Sequence, residues 1–213
     1  MDAISICGLI ALGGVAVLVV VGLLHDRKRL AKLPLDAAAL GYEHLLGADD
    51  FVEQNLHDMH RFRIGRVSNL FTGPEPTFFV HGVGKRTEGR TPGNQLVAAQ
   101  RIPLPVFVLR RRPGAVFGLR AQAIGPEGMP GVPLPASLAR DHGLFAPESA
   151  PGLAPMLERV LAGQGDWEIE SDGTWVVVMR HGYPFGPEPL EARFALRRKL
   201  LERISAEAPR RQE

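Results

Sequence analysis

Residues 3–24, AISICGLIALGGVAVLVVVGLL, run for 22 positions without a charge. As a helix rising 1.5 Å per residue they reach about 33 Å, enough to cross the hydrocarbon core of a bilayer. A helix that is apolar on every side needs lipid or a large core around it. The sequence therefore predicts a transmembrane anchor over residues 1–25. A cleaved secretory leader would carry a basic start, a shorter apolar stretch and small residues at the cleavage point. This segment starts Met1-Asp2 and runs directly into HDRKRLAK (25–32). Arg27, Lys28, Arg29 and Lys32 crowd the C-terminal flank, whereas Asp2 alone is charged on the other side. Basic flanks stay in the cytoplasm. The N-terminus is thus expected outside and residues 26–213 inside, at a cell's inner membrane. Gly8, Gly13, Gly14 and Gly22 form no strict G-x-x-x-G, so the span does not declare an oligomeric state.

Past the anchor, residues 26–36 read as a basic juxtamembrane segment, 37–209 as one cytosolic α+β domain and 210–213 as a tail. Cys7 is the single cysteine, which excludes a disulfide framework and a cysteine-based zinc site. It lies in the apolar run, with no base to activate it and no lipidation context before it. Residues 35–58 mix helical and loop character. From 61 the period changes to two: RFRIGRV sets Arg61 and Arg63 outward and Phe62 and Ile64 inward. PTFFVHGV, NQLVAAQRI and PVFVLRR follow, so about four strands are expected in an antiparallel meander. Residues 113–136 are rich in proline and glycine and read as irregular. PGLAPMLERVLAGQG predicts a helix stopped at a glycine. DWEIESDGTWVVVMR predicts a hairpin turning at Asp172-Gly173, with Glu170 opposite Trp175 and Ile169 opposite Val176. WVVVM is apolar on both faces, as a covered central strand would be. A closing helix runs from near Pro189 to before Pro209, with Leu190, Phe194, Leu196, Leu200, Leu201 and Ile204 on its apolar face. The expected fold class is α+β: an N-terminal transmembrane helix, then a mainly antiparallel sheet with packed helices, including a C-terminal one.

The motifs closest to known chemistry fall short of it. HGVGKRTEGR (81–90) follows an apolar strand, but a phosphate-binding loop reads G-x-x-x-x-G-K-[ST]. Here Arg86 follows Gly84-Lys85, and Phe79 stands where the first glycine belongs. His57 and His60 could share a helical face, yet zinc needs a third protein ligand. His81, His142 and His181 each precede a glycine, as turn residues do. Ser68, Ser137, Ser149 and Ser171 have no base beside them. The sequence thus names no catalytic residue, no metal ligand and no cofactor.

Charge is more informative. Residues 33–60 hold six acids and no Lys or Arg; residues 61–120 hold eleven Lys/Arg against two acids; residues 121–190 return to a net of −6. One reading pairs the acidic segments with the basic strands inside the fold. The other presents Arg61, Arg63, Arg66, Lys85, Arg86 and Arg90 to anionic lipid heads or an acidic protein, each basic residue near such a surface contributing about 1 kcal/mol. The basic strands carry no aromatic–basic RNP-like motif, which argues against nucleic acid. Arg193 and Arg197 fall inside the apolar face of the last helix. Either their stems line the core edge while the heads snorkel or meet acids, or they mark a small anion-binding spot.

The order of RVSNLFTG (66–73), IPLPVFVLRRRP (102–113), LAPMLERVLAGQGDWEIESDGTWVVVMRHG (153–182) and the final helix resembles that of a group of bacterial proteins of unknown function. Those have one N-terminal transmembrane helix and a cytosolic α+β domain. The resemblance spans most of residues 60–209 and implies a fold and a location, not an activity. The aromatic-aspartate-aromatic strand often seen in that group is FFVHG here. The function expected is a non-enzymatic interaction or scaffold module at the cytoplasmic face of the membrane. The alternative is a membrane-tethered enzyme whose residues converge only in the fold.

Overall fold

The computed structural model describes residues 17, 20, 21, 24, 28, 31–45, 48–56, 59, 65–73, 77–84, 94–112, 125, 126, 128–147, 150–164, 166–180 and 188–208, with the backbone alone at 48, 49, 53, 65–68, 81–84, 94 and 95. Among the described residues the strands form one nine-stranded antiparallel sheet. Its strands are β1 (Glu43–Leu45), β2 (Gly65–Thr72), β3 (Thr77–Gly84), β4 (Asn94–Arg101), β5 (Phe107–Arg111), β6 (Gly131–Val132), β7 (His142–Phe145), β8 (Trp167–Ser171) and β9 (Trp175–Arg180). The helices are α1 (31–39), α2 (Ala48–Asn55), α3 (Ala136–Ala139), α4 (Leu153–Leu161) and α5 (Leu190–Glu207).

The spatial order is β1-β2-β3-β4-β9-β8-β5-β7-β6. β2, β3 and β4 form the first three strands of the expected meander, with β1 added at the edge beside β2, but β5 does not continue it. The chain leaves β4, places β5 three strand positions further on, and the late hairpin β8–β9 fills the two positions between. Ala99 of β4 faces Val177 of β9, and Leu109 of β5 faces Ile169 of β8. β9 is therefore the central covered strand that its apolar run required.

Alternation splits the interior into two layers. Leu96, Ala98, Phe107, Leu109, Leu144, Ile169, Val176 and Val178 belong to one core with α4 and α5. There Phe79 of β3 stacks on Phe194 of α5 at 4.0 Å, with Tyr42 edge-on to both rings. Val80, Val97, Ala99, Trp175, Val177 and Met179 face the other way, against Val52 of α2, Leu56 just past its end and Met59. Leu33 and Ala37 of α1 are buried in the first layer. The sequence boundary at 36/37 thus runs between two residues of one core.

Three strands were not legible from residue patterning: β1 within 35–58, β6 in the proline-rich stretch, and β7. Each is four residues or shorter, too short to show a period. The RFRIGRV strand enters the structure at Gly65; residues 61–64 lie outside the described residues. The hairpin differs from expectation by two residues: Glu170 faces Val177 and Ile169 faces Val178. The central pair is Gly173-Thr174, with Gly173 at φ +98°. Asp172 Oδ1 accepts from the Thr174 and Trp175 amides at 2.8 and 2.7 Å, so its side chain wraps the loop from outside. A two-residue shift keeps every side chain on its face.

Among the described residues no helix is long and apolar enough to cross a membrane. Residues 3–24, where the sequence places a span, are described only at 17, 20, 21 and 24, all helical. Val17, Val20, Val21 and Leu24 are each more than half exposed, and with Leu35 they are the exposed large hydrophobics of the described chain.

Candidate functional site: a cleft beside Trp167 at the end of the hairpin

Of the six basic residues singled out by charge, Arg61, Arg63, Lys85, Arg86 and Arg90 lie outside the described residues. Arg66 is described by its backbone, paired with Val83 in the β2–β3 ladder. The described residues thus include none of their side chains. His57, His60, His181 and Ser149 also lie outside, and His81 and Ser68 are described as strand backbone only. Ser137 bonds Glu158. Ser171 Oγ accepts the Gly173 amide and lies 3.5 Å from the Leu104 carbonyl, closing the hairpin from inside.

The later part of the basic stretch serves the fold. Arg101 lies over the Trp175 ring at 5.0 Å, Arg111 meets Asp166 at 3.4 Å, and Arg112 Nε donates to the His142 carbonyl at 3.0 Å. One acidic residue of 121–190 thus lies against one basic strand, as internal pairing requires.

His142 is 1 % exposed. Its Nε2 is 2.9 Å from the Trp167 carbonyl, which can only accept, so the proton sits on Nε2. Nδ1 is then a bare acceptor with no partner among the described residues. Burial pushes its pKa below the ordinary 6.5, against the opposing pull of the Trp167 carbonyl. A base so enclosed has no access to a substrate proton.

Arg197 is the more consequential anomaly. It is 6 % exposed on the inner face of α5. Its head neither snorkels nor meets an acid among the described residues. Nε donates to the Leu96 carbonyl at 2.9 Å, and Nη1 donates to the Arg193 carbonyl one turn back at 2.9 Å. The β4–β9 ladder begins at Val97 and Met179, so the guanidinium takes a strand carbonyl just beyond the end of that ladder. The head also lies 5.9 Å from the centre of the Trp167 ring. Burial, and then the neighbouring Arg193 and Arg180, push its pKa down to about 9, with Glu188 opposing. It is still charged at neutral pH.

Beside Trp167 opens a cleft of about 430 Å³. Gly163 and Gln164 at the end of α4, Asp166 and Trp167, Arg180 at the end of β9, and Glu188, Ala192 and Leu196 at the start of α5 line it. The β8–β9 register brings Trp167 opposite Arg180. The Trp167 indole N–H donates to Gln164 Oε1 at 3.0 Å, locking the ring. Arg180 reaches Glu188 at 3.5 Å, and both side chains are substantially exposed. The cleft residues carried no sequence motif. Only the hairpin register, which pairs the two ends of the motif, could have pointed to Trp167 and Arg180.

Among the described residues no group of three or more His, Cys, Asp or Glu is placed to hold a metal ion. The chain matches no known protein-family model, no curated protein and no solved structure.

Proposed function

We propose that the protein is a single-pass inner-membrane protein whose α+β domain works as an interaction module on the cytoplasmic face. The observation that carries this reading is the outward display of Val17, Val20, Val21 and Leu24 on helical backbone. Such side chains belong in lipid, and the uncharged run around them is long enough to span it. The basic flank sets the direction. From Leu24 to the buried Leu33 is nine residues, or about 14 Å if helical throughout. The domain would then sit against the bilayer rather than on a long tether. On this reading a domain held so close would let the basic residues Arg61, Arg63, Arg66, Lys85, Arg86 and Arg90 meet anionic headgroups or an acidic partner protein.

Topology tests it. In a Cys7→Ser chain, a cysteine introduced at Gln212 should resist a membrane-impermeant thiol reagent in intact cells and react after lysis. One introduced at Asp2 should react without lysis. Ready labelling of position 212 in intact cells would reverse the orientation, and release of the chain by a carbonate wash would remove the anchor.

A further inference from the structure

We propose that the cleft beside Trp167 binds a small organic anion, an aromatic or aliphatic carboxylate whose charged end takes the place of Glu188 on the Arg180 guanidinium while its body rests on Ala192 and Leu196. A volume of about 430 Å³ lies within the range of small-molecule sites. Its walls have the composition such a ligand needs, apolar methyl and isobutyl groups from α5 on one side and a guanidinium at the mouth. Two observations select an anion. First, a buried positive charge stands behind the cleft's tryptophan: Arg197 has only carbonyl oxygens as hydrogen-bond partners among the described residues, and its head lies 5.9 Å from the centre of the Trp167 ring. Second, the carboxylate now facing Arg180 is held loosely. Glu188 touches it at 3.5 Å with its side chain about half exposed, and exposed pairs of this kind contribute little. A ligand carboxylate can displace it at small cost and adds buried apolar contact that Glu188 does not make. The other rim acid, Asp166, is engaged by Arg111 at 3.4 Å.

The inference stands apart from the membrane reading and can fail separately, since its test reads the cleft alone. The full chain, reconstituted in neutral phosphatidylcholine nanodiscs and carrying Trp175→Phe, retains Trp167 as its one tryptophan. It is titrated with 4-nitrobenzoate and with its neutral twin, 4-nitrobenzamide, following quenching of Trp167. Calorimetry on the chain with both tryptophans repeats the titration in case the substitution disturbs the fold. The anion should quench saturably and bind at least about tenfold tighter than the amide, as a charge-assisted contact implies. Arg180→Gln should remove that preference. Glu188→Gln should tighten the anion several-fold by deleting its competitor and leave the amide unchanged. Equal binding of anion and amide, or a preference untouched by both substitutions, overturns the proposal.

Discussion

A buried guanidinium whose partners are carbonyl oxygens makes a specific demand on residue 197. The planar fork spans two acceptors on different elements, Leu96 of β4 and Arg193 of α5, which a lysine could not do in one geometry. Arg197→Ala should lower unfolding free energy by about 2–4 kcal/mol, from lost packing beside Trp167 and an unpaired strand carbonyl. Arg197→Met keeps the stem's volume and should lose distinctly less. Equal urea midpoints for the two variants would mean that the stem contributes nothing. His142 makes a prediction in pH. Its folded pKa is lowered, so the unfolded chain binds the proton more tightly, and stability is lost as pH falls through and below 6.5. The difference in unfolding free energy between wild type and His142→Gln should shrink from pH 7.5 to 5.5, by at most about 1.4 kcal/mol per pH unit. A flat difference would assign the acid sensitivity to other groups.

At the scale of elements, the β8–β9 turn shows what a sequence can and cannot declare. Asp172-Gly173 located the turn, but an Asp-Gly pair fits either the two central positions or the position before them and the first of them. The choice was made by Asp172, whose carboxylate bonds two amides of the loop, and no periodicity encodes that. Gly173→Val should destabilise by about 1–3 kcal/mol through backbone strain at positive φ. Steric clash is not the cause, since a Cβ there meets only Val106 at 3.7 Å and Leu104 O at 3.9 Å. An unchanged urea midpoint would show that the loop adopts negative φ in solution. Elements with long runs were legible: α5 keeps Phe194, Leu200, Leu201 and Ile204 buried as its period required. The cleft was not, because Arg180, Glu188 and Gln164 come from three segments and become neighbours only through the hairpin register. The anomaly at Arg197 was visible as a charge on an apolar stripe, although its carbonyl partners were not.

At the scale of the molecule, the described residues place nine strands in one sheet, in which β8–β9 lie between β1–β4 and β5–β7–β6. The two halves should therefore open as one cooperative unit. In native-state hydrogen exchange, amides of Val80 and Val97 on one side and of Val108 and Leu109 on the other should share one opening free energy and one denaturant dependence. Two separate values would mean that each half holds itself together. Any soluble fragment used for this must begin ahead of Leu33, which belongs to the first core layer.

The position of that hairpin matters most while the chain is being made. Its middle strands are the last to leave the ribosome. At about 5–20 residues per second, roughly 3–14 s separate the end of β5 from the end of β9. During that interval β4 and β5 each present an open edge with apolar side chains beside it, the surface on which strands from other chains add. A nascent chain in this state depends on whatever shields strand edges at the exit site. Changes that delay β8–β9, such as a strained turn at Gly173, would then show first as a lower yield of full-length protein and only second as a lower melting temperature of the molecules that survive.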